Sequence, residues 1–278
     1  MKTLKKLFFL LVFSWVLTSC IETQEIAREK AVIDGWIDSD GFPVVIFTSS
    51  LVPGENEITL ADKMIRWGKV TISDGIETII LTGGPDKNYF PPYKYVTYQM
   101  KGTPGKKYTI TADFKDLHAE AECEMPEPSP ITTIEVSPIE GNDTLRSASL
   151  HFVTPTDVPA YYYITMRDYG DRGRFAPTML GTYKATEPEK EVSIPLFHPK
   201  NHLSDEDFEP MLKVGQIVEV NLCRITREVY DFWLAYDNSV LFGGSQFIDT
   251  SQSIVGNIKD GYGVWSAQGV SRALLEVK

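Results

Sequence analysis

From Ala31 onward the apolar residues of this chain recur with a period of two, and that alternation restricts the fold more than any other feature. Successive side chains of a strand point to opposite faces, so a chain that keeps alternating must be built from sheets with at least one buried face. Ala31-Val32-Ile33 leads into Gly35-Trp36-Ile37, Asp38-Ser39-Asp40-Gly41 supplies a turn, and Pro43-Val44-Val45-Ile46-Phe47-Thr48 reads as the returning strand. That turn begins like a calcium loop, but no Glu stands at its twelfth position, so it is read as a turn. Residues 69–73 and 78–81 form a second expected hairpin around Asp74-Gly75, and residues 93–100, 107–112 and 117–123 read as further strands. Gly83-Gly84-Pro85 reads as a turn. The expectation for residues 31–125 is a β-sandwich domain of the immunoglobulin or fibronectin sort.

Pro126, Pro128 and Pro130 cannot donate ladder hydrogen bonds, so residues 126–130 are expected to be a stiff linker and a domain boundary. Residues 131–278 are expected to form a second β-rich domain, with strands at 131–137, 148–153, 161–167, 192–195 and 216–223. A polar insertion at residues 168–190, with Gly170, Gly173, Pro177 and Pro188, separates the third of these from the fourth. Residues 226–236 read as a short helix, capped by Thr226, with Val229, Phe232, Trp233 and Tyr236 at helical spacing. Gly243-Gly244 opens a loop, and Gly261-Tyr262-Gly263-Val264-Trp265 is expected to close the fold with tight turns at its glycines. The fold class expected is all-β, with two β-sandwich-like domains and one short helix in the second.

The N-terminus specifies an address. Lys2, Lys5 and Lys6 precede a largely apolar run from Leu7 to Leu17, and Leu17-Thr18-Ser19-Cys20 fits a bacterial lipobox. Eleven residues make only about 16 Å of helix, roughly half a bilayer core, which is too short for a transmembrane anchor. Residues 1–19 are therefore expected to be a lipoprotein signal peptide, and Cys20 the lipid-attachment residue whose thiolate takes up a diacylglyceryl group. A bacterial lipoprotein carries more than one acyl chain, enough for stable anchoring. Residues 20–30 alternate charges and read as a tether. Cleavage removes three lysines from 27 basic residues that face 38 acidic ones, taking the formal charge from −11 to −14. Such a balance argues against nucleic acid as a partner and against adhesion to anionic headgroups, and it leaves the acyl chains as the membrane contact.

The sequence offers little chemistry. Cys123 and Cys223 lie far apart and are expected to be buried, unpaired thiols. No G-x-S-x-G elbow, no H-E-x-x-H and no phosphate-cradling glycine loop is present. His198, His202, Asp205, Glu206 and Asp207 come nearest to a metal site, but Pro199 and Asn201 make the segment a solvated acidic loop. No cofactor is expected. The more informative stretch is Asn88-Tyr89-Phe90-Pro91-Pro92-Tyr93-Lys94-Tyr95. Tyr89, Phe90, Tyr93 and Tyr95 offer rigid amphipathic area for a peptide, a glycan or a receptor surface; the competing reading is that Tyr93 and Tyr95 cover one face of the sandwich while Pro91-Pro92 enforces the turn.

The lipobox, Val32-Ile33-Asp34-Gly35-Trp36-Ile37, Val70-Thr71-Ile72-Ser73-Asp74-Gly75, Pro104-Gly105-Lys106-Lys107-Tyr108-Thr109-Ile110, the prolines after Cys123, Glu228-Val229-Tyr230 and Asn257-Ile258-Lys259-Asp260-Gly261-Tyr262-Gly263-Val264-Trp265 occur in this order. Together they resemble the Bacteroidota lipoprotein family called domain of unknown function 4249, over nearly the whole mature chain. Lys259-Asp260 stands where the family more often has small residues, and Trp265 where Phe is more usual. The resemblance implies an outer-membrane lipoprotein, a non-enzymatic accessory to a TonB-dependent receptor in nutrient uptake, and it brings no catalytic residues. Asp143-Thr144-Leu145 matches a short O-glycosylation pattern of that phylum, which would place a glycan on Thr144 in a loop. The rivals are a surface hydrolase with a carboxylate site and a structural adhesin or assembly factor.

Overall fold

The computed structural model describes residues 28–52, 59, 61–199, 209–242 and 254–278. The lipobox and Cys20 lie outside the described residues. Among those described, no helix is long and apolar enough to cross a membrane.

The alternation at the start of the fold becomes a hairpin. β1 (Ala31–Asp38) pairs antiparallel with β2 (Val44–Ser49), Trp36 opposite Val44, and its odd-numbered residues are buried while the even ones are half-buried. β3 (Lys69–Ser73), β4 (Thr78–Ile80), β7 (Lys107–Phe114) and β8 (Leu117–Glu124) form a four-stranded sheet in the order β4-β3-β7-β8. Between them, β5 (Thr82–Pro85) and β6 (Tyr93–Val96) leave this sheet and extend β2. In the second half, β9 (Ile131–Ile139), β10 (Asn142–Val153), β13 (Glu191–Leu196) and β14 (Leu212–Lys213) make another four-stranded sheet around β10. β11 (Ala160–Asp168), β12 (Ala176–Ala185), β15 (Ile217–Ile225) and β16 (Gly261–Glu276) join β1, β2, β6 and β5 in one eight-stranded sheet, ordered β12-β11-β15-β16-β1-β2-β6-β5. The helix α1 (Arg227–Phe242) follows β15 directly. The fold is thus all-β and sandwich-like, with a single helix among the described residues.

Three elements differ from the expectation. The polar insertion contains β12, and the Gly83-Gly84-Pro85 turn is strand β5, paired with β6. Gly261 does not begin a closing turn. It begins the longest strand, whose first half, Gly261–Gln268, runs parallel to β1, while its second half, Gly269–Glu276, runs antiparallel to β15. Residues Val264 to Val270 are buried without interruption, as expected of a strand covered on both faces. β16 therefore stitches the halves on either side of residues 126–130 into one sheet, and the buried apolar residues form two cores, the first drawn from both halves and the second from residues 148–277.

Both small sheets pack on the same face of the large one. Trp265 and Ala267 of β16 lie opposite Gly35 and Ile37 and enter the first core, with Ile33, Ile72, Tyr108 and Ile110. Leu275, of the same parity on β16, enters the second core, with Leu150, Phe152, Tyr162 and Val220. The proline segment passes between the two sheets and is fastened there. Ser129 Oγ lies 2.8 Å from the Tyr162 hydroxyl, and a Cβ on Gly269 would fall 2.3 Å from the Pro126 carbonyl, so only glycine lets the backbones approach this closely. The expected stiff linker is thus a packed strap.

Candidate functional site

The opposite face of the large sheet is built from the residues that alternate with the core. β1 contributes Asp34, Trp36 and Asp38, β16 contributes Gln268, β15 Asn221, and β11 Tyr163, Thr165 and Arg167. On an open sheet such residues would be solvated. Here α1 lies over one part of them, Trp233 stacking on Tyr163 at 5.1 Å and 8°. The β5–β6 and β11–β12 loops reach over another part. They meet where a Cβ on Gly173 would come 2.8 Å from the Asn88 carbonyl. Beneath them is an open cleft of about 140 Å³, with Trp36, Tyr89 and Phe175 among its walls.

Each guanidinium here has a carboxylate partner. Arg174 donates to Asp34 and lies 4.5 Å from the centre of the Trp36 ring and 5.4 Å from that of Trp233. Burial disfavours its charge, but the Asp34 carboxylate outweighs burial and holds its pKa above the ordinary value. Arg167 donates to Glu219 at 2.7 Å and to the Gly173 carbonyl at 3.0 Å, with its guanidinium 4.1 Å over Phe175. Arg272 and Gln268 both donate to Asp38, at 2.8 and 2.6 Å. Desolvation pushes the Tyr163 phenol and the Cys223 thiol well above their ordinary ranges, so both stay protonated. Three buried polar atoms in this region have no hydrogen-bond partner among the described residues: Asn221 Oδ1, Asp34 Oδ1 and Trp233 Nε1.

Of the four aromatics singled out in the sequence, Tyr89 lines the cleft. It stacks on Trp36 at 6.4 Å and 23°, and the Lys94 ammonium lies 4.2 Å from its ring centre. Phe90 is exposed at the loop tip. Tyr93 donates its hydroxyl to the Arg66 carbonyl. Tyr95 is a core residue, 2% exposed, its hydroxyl donating to Ile65 O and accepting from Gly68 N. Burial leaves Tyr95 no surface for a ligand, so here the covering role wins over the contact role. Thr144 is exposed, but it lies within β10 and not in a loop, its hydroxyl donating to Asn142 Oδ1. Cys123 and Cys223 are both free and buried. His198 has its Nε2 3.8 Å from Asp168, while His202 and Asp205 to Asp207 lie outside the described residues. No group of three metal-donor side chains occurs among the described residues.

Sequence reasoning passed over Trp36, Arg167, Arg174 and Asn221. Their only signal was a tryptophan set between two aspartates on the alternate, supposedly solvated positions of β1.

The family model described as "Domain of unknown function (DUF4249)" matches residues 19–273. Comparison with curated proteins gives no match.

Proposed function

The chain belongs to the DUF4249 family, and from that premise we propose that it is an outer-membrane lipoprotein, anchored through Cys20, that performs no chemistry of its own and binds a ligand or a TonB-dependent receptor in nutrient uptake. The observation that carries this reading is Leu17-Thr18-Ser19-Cys20 behind a lysine-led apolar run. The family match begins at residue 19, so it includes the lipid-accepting cysteine. The cleft supports a binding role: it is concave and has aromatic residues among its walls. Asp34 and Asp38 are already held by arginines, an arrangement that lends the hydrolase alternative no support. Tethering in the membrane plane raises the effective concentration of a membrane partner, so even a weak contact can be productive.

Cys20→Ala is expected to abolish incorporation of labelled palmitate and to release the protein from outer-membrane fractions. A variant that stays acylated and membrane-bound overturns the anchoring. A pull-down from detergent-solubilised outer membranes is expected to retain a receptor or ligand, and an empty pull-down counts against the accessory role.

A further inference from the structure

We propose that the cleft under the β5–β6 and β11–β12 loops binds a neutral saccharide, with Asn221 as the buried acceptor that selects it. The inference deepens the ligand-binding arm of the function proposed above and rests on it. The charge pattern comes first. Arg167, Arg174 and Arg272 are matched one to one by Glu219, Asp34 and Asp38, so an anionic ligand would have to break an existing ion pair to gain a guanidinium, and the three pairs leave no net charge to draw a cation. An uncharged ligand meets no such conflict.

The second observation is Asn221. It projects from β15 into the floor of the cleft, is 2% exposed, and its Oδ1 has no partner. A buried acceptor without a donor destabilises the fold, and a ligand hydroxyl supplies that donor. The third is the combination around it. Gln268, Asp38 and Arg167 carry planar polar groups and line the same cleft as the aromatic rings of Trp36 and Tyr89. Vicinal hydroxyls both donate to and accept from planar polar side chains, while the C–H face of a pyranose packs against an aromatic ring.

The test uses the full lipidated chain in an amine-oxide detergent, which carries no sugar of its own. It is titrated with a panel of neutral mono- and oligosaccharides, with Ala-Ala-Ala, and with inorganic phosphate, and followed by tryptophan fluorescence and saturation-transfer NMR. At least one saccharide is expected to bind, and Asn221→Leu to weaken that binding at least tenfold while leaving the melting temperature unchanged or raised. Tyr89→Ala is expected to weaken it with no loss of fold. Absence of saccharide binding, binding indifferent to both variants, or preference for the peptide or phosphate overturns the assignment. Receptor retention in the pull-down despite such a failure leaves the accessory role standing. Saccharide binding by a protein that is not acylated would sink the anchoring instead.

Discussion

The two faces of the eight-stranded sheet are made from alternate residues of the same strands, yet they differ in what their burial is for. On β1, Ile33, Gly35 and Ile37 face the small sheets, while Asp34, Trp36 and Asp38 face the cleft. On β16, Trp265 and Ala267 face the core, and Gln268 faces the cleft. The first face is lined by apolar residues, and its one tryptophan on β16 is satisfied: the Trp265 indole donates to the Tyr108 carbonyl at 3.0 Å. The second face holds paired charges and unpartnered atoms. A face that packs for stability removes such atoms, and a face that keeps them carries a cost that recognition can explain.

The largest expected effect tests the apolar face. Trp265 is fully buried against Gly35, and Trp265→Ala removes an indole from the point where β1, β16 and the first small sheet meet. A loss of about 3–5 kcal/mol is expected in urea unfolding, from the cavity and from the Tyr108 carbonyl left without its donor. A loss below about 1 kcal/mol would mean that this face is no better packed than the other.

Next comes the ion pair on the cleft face. Arg174→Ala leaves Asp34 among aromatics with no cation, and about 1–2 kcal/mol is the expected loss, because both side chains retain partial exposure. Asp34→Ala in the same background should recover part of it. A double-mutant cycle with no coupling would show the pair to be independent surface charges and would erase the contrast between the faces.

Asp237 gives a contrast in pH dependence. It sits on α1 with Thr182 Oγ1 donating to it at 3.3 Å, and burial pushes its pKa up to about 6 despite that bond. Below about pH 3 the carboxyl is protonated in the folded and unfolded chains alike, and its burial carries no ionic penalty. As pH rises through about 6 the folded carboxyl must ionise, and the stability present at low pH is lost. Asp237→Asn is therefore expected to stabilise by about 1–2 kcal/mol at pH 8 and by almost nothing at about pH 3. A gain that does not vary with pH would assign the effect to packing instead.

The same contrast explains what could be seen in the sequence. The β1–β2 hairpin and the β7–β8 ladder were legible because one face of each strand is apolar and the turns between them use Asp, Gly and Lys-Asp steps. β5 was hidden by Gly83-Gly84-Pro85, and β12 by Pro177 and a register shift opposite Tyr163 and Thr165. The reach of β16 was hidden because burial on both faces erases the period of two. The cleft was least legible of all. Its polar residues occupy the positions that period assigns to solvent, and Arg174 meets Asp34 across 140 residues of sequence. Alternation shows which residues share a face, but only topology shows what covers it.

The smallest effect sharpens the boundary between cleft and core within a single stretch. Tyr89 and Tyr95 are six residues apart and both aromatic, yet Tyr89 rests on Trp36 with Lys94 over its ring, while Tyr95 is sealed beneath Gly68 and Ile65. Tyr89→Ala gives up one stacked pair and one half-buried cation–π contact, so a loss of about 0.5–1 kcal/mol is expected, together with a change in Trp36 fluorescence. Tyr95→Ala is expected to cost several times more, about 3 kcal/mol, since it empties a core site and strands two backbone partners. Equal costs would place Tyr89 in the core as well and remove the wall on which saccharide stacking depends. A small cost with altered Trp36 emission keeps Tyr89 where a ligand can reach it.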